Sequence, residues 1–504
     1  MKKFGLLLLL LSLTLIACDD GSDAFVDDFE VLSGNDAEFV EEMDAEELAN
    51  GETAVSPSGT FQAADCPFAT PRGREIECGI LIVPEDRSDA NAPRIELAVA
   101  IVTAPDGSSE APIIYLAGGP GGSGLDDYAA DPDGWNYSFL QNRDLILLDQ
   151  RGTGYSEPTL DCPEFFEVDT QDNPDALCYE RLIEEGINLA AYNTQENAAD
   201  VAALRLALGI DEWDLLGISY GTRLALEVMR NHPEGVRAVI LDSPFPPNAD
   251  TPVDEVYSFT DALTQLFADC NREAYCSEEY PDLETVFLDT VQRLNEDETA
   301  AIFGDDLVFA LSSAFSDTAL IPLLPYVIYE VANDNFDALD EINAEGGFAR
   351  PRYQEDEDRS DSEGMYNSVI CYDEYALGDY ERVETAVVGT IPVELEGALL
   401  QTTFDLVSLC EYWSPRTVVD NTAVSSNIPT LILVGQYDVA TPPRWGTLTA
   451  ATLPNSTLIQ VPGAGHSLLS SVECTIAIAD EFLANPDQSP NTDCLDEIEW
   501  PYFE

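Results

Sequence analysis

A serine, a histidine and an aspartate in this chain stand in surroundings that suit acyl transfer. Gly217-Ile218-Ser219-Tyr220-Gly221 has the G-x-S-x-G spacing, with an apolar run from Trp213 before it and a helix-forming stretch to Asn231 after it. In a strand–turn–helix setting the glycines permit a turn too tight for a Cβ, which holds the Ser219 hydroxyl outward. The helix N-terminus behind it favours the negative charge that develops during attack.

A serine nucleophile needs a base, and the chain holds only two histidines. His232, in Asn231-His232-Pro233, falls at the C-terminal end of the expected elbow helix, roughly 20 Å along it from Ser219. That position suits a structural role against the helix dipole. His466, in Gly463-Ala464-Gly465-His466, follows the last apolar strand and is the expected base. The orienting acid should lie between serine and histidine in chain order, on a loop after a strand. Asp438 fits and is preferred; Asp242, after the strand ending at Leu241, is its rival. Oxyanion donors are expected from the backbone N–H of Tyr220 and from the loop Gly118-Gly119-Pro120-Gly121-Gly122, with Gly118 and Gly119 as candidates. That loop lacks the Lys-Ser/Thr and the spacing of phosphate-binding motifs.

These groups need a scaffold. Apolar runs at Ile80–Val83, Ile95–Val102, Ile113–Leu116, Leu145–Asp149, Trp213–Gly217 and Val236–Leu241 read as strands. An amphipathic helix over Glu196–Leu208, capped by Asn193 or Thr194, separates two of them. Strands alternating with helices predict a mostly parallel α/β sheet. The alternation stops over about 246–427, where helix-like segments, Pro breaks and acidic loops predict a helical cap, and resumes at Thr430–Val434 and Thr457–Val461.

The set Gly118-Gly119-Pro120-Gly121, Asp149-Gln150-Arg151-Gly152-Thr153-Gly154-Tyr155-Ser156, Gly217-Ile218-Ser219-Tyr220-Gly221 and Asp438…His466 resembles the secreted tripeptidyl-aminopeptidase-like and prolyl-aminopeptidase-like serine peptidases of the α/β-hydrolase superfamily. The likeness spans roughly Cys66 to Cys494. It implies an α/β-hydrolase core with a large, mainly helical, cysteine-bearing cap. It also implies a substrate N-terminal amine held by cap acids, here Asp373 or Glu374 in Cys371-Tyr372-Asp373-Glu374. One departure is Ala117, where prolyl aminopeptidases commonly carry His.

The N-terminus speaks for export. Lys2 and Lys3 precede an apolar run from Phe4 to Ile16 that ends in Leu15-Ile16-Ala17-Cys18, a pattern that resembles a bacterial lipobox with Cys18 as the lipidated residue. The ten other cysteines fall in sequential pairs: Cys66/Cys78, Cys162/Cys178, Cys270/Cys276, Cys371/Cys410 and Cys474/Cys494. Sequential pairing is the simplest connectivity, although spacing alone does not prove partners. With only two His and no Cys-x-x-Cys the spacings make no convincing zinc site, and acyl transfer by a serine implies neither metal nor organic cofactor. Asp19 to Ala64 carries fourteen acidic residues and no cation, which predicts an unfolded tether. The expected organisation is a signal at 1–17, a tether at 18–64, a first core part at 65–245, the cap at 246–427 and a second core part at 428–504.

The formal net charge is −75, and Lys2 and Lys3 are the only lysines, a bias that resembles proteins of saline habitats. Without a basic patch, nucleic acid is excluded as a partner. The reading that follows is an envelope-anchored serine exopeptidase acting on peptides with a free N-terminus. Its alternatives are an esterase on the same fold and a non-catalytic binding lipoprotein.

Overall fold

The computed structural model describes residues 59–167, 173–297, 299–345, 359–375, 380–413, 419–498 and 503. The signal segment, Cys18 and most of the expected tether lie outside the described residues. No helix among the described residues is long and apolar enough to cross a membrane.

Nine strands form one sheet: β1 (Thr60–Ala64), β2 (Ile76–Pro84), β3 (Arg94–Val102), β4 (Ile113–Leu116), β5 (Leu145–Leu148), β6 (Trp213–Ile218), β7 (Val236–Asp242), β8 (Thr430–Gly435) and β9 (Ser456–Val461). Their spatial order is β1-β2-β3-β5-β4-β6-β7-β8-β9. The first four strands in that order pair antiparallel, and from β5 onward all pairs are parallel. Strands of the parallel part are buried on both faces, which is why β4, β5 and β8 read as unbroken apolar runs.

β1 lies inside the stretch expected to be tether, so sheet pairing begins at Thr60 and not near Cys66. Backbone pairing with β2 carries this acid-flanked strand into the sheet, and Phe61 packs against the core below.

Helices cover both faces. On one face Thr194–Leu208 and the elbow helix Tyr220–Asn231 press Leu204, Leu224 and Val228 onto Ile114, Leu215, Val239 and Ile432. On the other, Glu473–Ala484 lays Ile478 and Phe482 against Leu216, Ile240 and Leu433. Asn193 caps the helix Thr194–Leu208 by accepting from the Glu196 N–H, and Gly209 ends it at φ +69°.

Between β7 and β8 the chain is helical, from Thr251–Arg272 to Val393–Trp413, and builds its own core from Phe259, Leu266, Phe287, Leu311, Val327 and Leu395. The ten cysteines described form the five sequential disulfides, Cys66–Cys78, Cys162–Cys178, Cys270–Cys276, Cys371–Cys410 and Cys474–Cys494.

Two carboxyls are fully buried inside this frame. Burial pushes both Asp149 and Asp242 up to about 6, although backbone N–H groups bonded to each resist the shift. A carboxyl with a raised folded pKa holds its proton more tightly folded than unfolded, so its ionisation costs stability. The melting temperature should therefore fall, by several degrees, as pH rises from about 4 through 6 at fixed salt. A melting temperature that rises across that window would contradict this account.

Candidate active site

The nucleophile turn is built by close approach. Ser219 sits between β6 and the elbow helix at φ 56°, ψ −125°, a conformation that costs a non-glycine residue about 1–3 kcal/mol. A Cβ on Gly217 would strike the Gly221 carbonyl, and one on Gly221 would strike the Leu116 carbonyl of β4. Both glycines are thus required by backbone contact. The Ser219 side chain does not cap its own helix, so it stays available for chemistry.

The Gly-rich loop lies directly over this turn. A Cβ on Gly118 would stand 3.1 Å from both the Ser219 Cβ and the Ile218 carbonyl. The backbone of Gly118 therefore passes beside Ser219, as an oxyanion donor must, while Gly119 packs against Gly121 and Gly122, and Tyr220 opens the elbow helix directly after Ser219. The Asp149–Ser156 motif holds this loop in place. The Asp149 carboxylate accepts from the Ser123 hydroxyl at 2.8 Å and the Leu125 N–H at 3.0 Å, and Gln150 Nε2 donates to the Ala117 carbonyl at 3.0 Å. Arg151, fully buried, makes a bidentate pair with Asp200 at 2.8 and 3.0 Å and donates to two backbone carbonyls.

The base and acid meet. His466 Nδ1 stands 2.9 Å from Asp438 Oδ2. Asp438 also accepts from the Ala440 N–H at 3.0 Å, the Thr441 N–H at 2.8 Å and the Thr441 hydroxyl at 2.8 Å. With Nδ1–H donated to the acid, Nε2 is the ring nitrogen free to take a proton. Burial opposes the His466 imidazolium, but Asp438 beside it and Asp242 nearby outweigh that and raise its pKa above 6.5. Burial likewise opposes the Asp438 carboxylate, yet the imidazole and the Thr441 donors hold it below its ordinary range.

Asp242, the rival acid, is spent elsewhere. Its carboxylate accepts from the Leu468 and Leu469 N–H groups at 2.9 and 2.8 Å, and its carbonyl accepts from the Ser219 N–H at 2.9 Å. The adjacent Ser243 hydroxyl accepts from the Ser467 N–H at 3.0 Å. The end of β7 thus anchors both the nucleophile turn and the loop that carries His466. His232 closes the elbow helix, its N–H bonded to the Val228 carbonyl at 2.8 Å. Burial and Arg87 lower its pKa.

Asp373 and Glu374 lie in a π-helical turn, Ile370–Glu374, packed against the elbow helix. Both are buried, and both already have partners. Glu374 pairs with Arg223 and accepts from the Thr251 hydroxyl at 2.5 Å, while Asp373 accepts from the Thr194 hydroxyl and faces Arg223 Nε at 3.9 Å. Burial raises the pKa of each, against the pull of Arg223. A third acid of this cluster escapes sequence reasoning. Glu255, on the helix Thr251–Arg272, accepts from the Tyr375 hydroxyl at 3.0 Å and has no cationic partner among the described residues. Burial, with Glu374 and Asp254 near, pushes it up to about 7. Its sequence position is one acid among many, so only packing distinguishes it.

The helical insertion also grips the catalytic loops. Ser316 offers its carbonyl to the His466 N–H at 2.9 Å, and the Thr318 hydroxyl accepts from the Gly465 N–H at 3.0 Å. A Cβ on Gly465 would strike the Phe315 carbonyl. Tyr437, beside the acid, stacks on Phe315 at 5.8 Å between centroids and donates to Asp269 at 2.5 Å.

Two outcomes follow. Asp438→Asn should lower kcat by about 10⁴-fold through the wrong imidazole tautomer, and should move the acidic limb of kcat/KM from above 6.5 toward lower pH, read from a pH–rate profile. Gly465→Ala should destabilise by about 1–3 kcal/mol and cut kcat more than it raises KM. An unchanged kcat would mean that the insertion does not set the imidazole.

Comparison with known proteins agrees with this geometry. Residues 111–301 match the family described as the alpha/beta hydrolase fold, and residues 400–494 match the TAP-like protein family. Serine protease Hip1 of Mycobacterium tuberculosis is 26% identical over 451 residues, covering 81% of this chain and 84% of that protein. The putative hydrolase YuaR of Escherichia coli is 23% identical, over 78% of this chain and 82% of its own length. Tripeptidyl aminopeptidase of Streptomyces lividans is 30% identical over 206 residues, 37% of this chain and 38% of that enzyme. The chain has the α/β-hydrolase fold and resembles the serine peptidases built on it, those of the tripeptidyl- and prolyl-aminopeptidase type among them.

Proposed function

We propose that this chain is a serine exopeptidase that removes short units from peptide N-termini. The observation that carries the reading is the contact of the partly exposed His466 with the buried Asp438, tied through β7 to the strained turn that presents Ser219. His466 takes the Ser219 proton as the hydroxyl attacks the scissile carbonyl. The backbone N–H groups of Tyr220 and of the Gly118–Gly119 loop receive the oxyanion. After the amine departs, His466 activates water to hydrolyse the acyl-enzyme.

The exopeptidase part rests on the acid cluster. Asp373 and Glu374 share one guanidinium, Arg223, while Glu255 lies near Glu374 with no cationic partner among the described residues. Two carboxyls on one cation, with a third beside them, supply acceptors for a substrate ammonium. The export-type N-terminus and the lipobox-like Leu15-Ile16-Ala17-Cys18 support a location at the cell envelope, with a lipid on Cys18 as the membrane anchor. Five disulfides fit an oxidising compartment of that kind.

The test is a panel of chromogenic peptides with free and acetylated N-termini, beside simple esters. Free-amine peptides should be cleaved and their acetylated counterparts spared by at least about 100-fold, equivalent to about 2.7 kcal/mol. Ser219→Ala should abolish turnover while leaving the fold intact. Hydrolysis of esters without any peptide cleavage would make the chain an esterase. Equal cleavage of blocked and free peptides would remove the amine requirement.

A further inference from the structure

A wide cleft opens beside His466, away from the acid cluster. Its volume is about 740 Å³, against about 280 Å³ for the cavity that includes Glu374. One wall is the loop that follows the helix Gly304–Ala314 and includes Ser316, Asp317 and Thr318; the other is Ser470 and Ser471, just after His466. The His466 side chain is 18% exposed and is itself part of the lining.

The position of this cleft follows from the chemistry of the imidazole. His466 must reach both Ser219 and the departing nitrogen. When the scissile C–N bond breaks, Ser219 Oγ keeps the acyl carbon. The proton that His466 accepted passes to the nitrogen, which leaves as an amine. Space that adjoins the imidazole and opens to solvent is therefore space for the departing part of the peptide, whose length has no limit.

The walls have a definite polarity. The Ser470 and Ser471 hydroxyls donate to the Ser467 carbonyl at 2.8 and 3.0 Å, so the groups they turn toward a ligand are acceptor lone pairs. The Thr318 hydroxyl accepts from the Gly465 N–H and keeps its own proton to donate, so the acceptor character of the walls comes from Ser470, Ser471 and Asp317. Asp317 is the only acidic residue of the lining, and no Arg is part of it. Asp317 Oδ1 accepts from the Ala319 N–H at 2.8 Å, which fixes the carboxylate on its loop, and no cation pairs with it among the described residues.

We propose that this cleft is the leaving-side subsite of the peptidase, and that Asp317 selects substrates whose first departing residue is Lys or Arg. The inference rests on the serine-peptidase reading above. Acceptors around a fixed carboxylate satisfy an ammonium or guanidinium, and they repel a substrate carboxylate.

The test uses the full chain and internally quenched peptides that share one free N-terminal segment and differ only in the first departing residue: Lys, Arg, Leu or Glu. The expected kcat/KM for Lys or Arg exceeds that for Glu by at least tenfold at low salt, and the gap narrows at high salt. Asp317→Asn keeps the carbonyl that accepts from Ala319 and should bring the Lys/Glu ratio close to one. Asp317→Arg should invert it. A wild-type ratio near one, or a ratio untouched by Asp317→Asn, overturns the inference while peptide cleavage still upholds the peptidase reading. Failure to cleave any of the peptides overturns both.

Discussion

The candidate site depends on one buried aspartate that stands outside the Asp438–His466 pair. Asp242 receives the Ser219 N–H on its carbonyl and the Leu468 and Leu469 N–H groups on its carboxylate. Ser219 and His466 come from segments more than two hundred residues apart, and this residue ties both to the end of one strand. A fully buried carboxylate is costly unless its lone pairs are used. Here the backbone donors that offset that cost belong to the loop that must be held. Desolvation and positioning are the same event.

The helical insertion is a second determinant of the candidate site's geometry, and not only a cover. Ser316 and Thr318 bond the His466 loop, Phe315 stacks on Tyr437, and Asp269 fixes the Tyr437 hydroxyl next to Asp438. The insertion is secured on its own core, with Cys270–Cys276 beside Asp269. Acid and base are therefore oriented from outside the sheet as well as from its strand ends. This arrangement couples the order of the insertion to kcat, because an imidazole misplaced by about 1 Å loses much of its effect.

Charge composition shapes the interior as much as the surface. A chain of net charge −75 has few cations, and its buried arginines are placed where one guanidinium satisfies several acceptors. Arg151 joins Asp200 to the carbonyls of Glu85 and Ala191, Arg143 joins Asp214 to those of Ala111 and Leu483, and Arg223 meets Asp373 and Glu374. The planar fork of arginine makes these multiple bonds where a lysine would make a single point contact. The surplus of acid also leaves carboxylates such as Glu255 and Asp317 without a cationic partner among the described residues.

Much of the core was legible locally. Apolar runs gave the parallel strands because strands buried on both faces must be apolar throughout, and the elbow and Gly-rich loop were readable because close backbone approach admits only glycine. Elimination among two histidines pointed to His466, and spacing pointed to the five disulfide pairs, without proving either. What the sequence could not rank were acids that look alike along the chain. Arg223 already paired with Glu374, Glu255 with no cationic partner among the described residues and Asp317 beside His466 are outcomes of packing. The preference for Asp438 over Asp242 was already readable from its place after a strand, and the structure sets Asp438 against His466. β1 entered the sheet through backbone pairing that its acidic surroundings concealed. By itself the sequence determined the fold class and the residue types able to do the chemistry, since those follow from local periodicity and steric limits. The tertiary structure alone decided which carboxylate does which task, because desolvation and partner geometry, not residue identity, distinguish one aspartate from another.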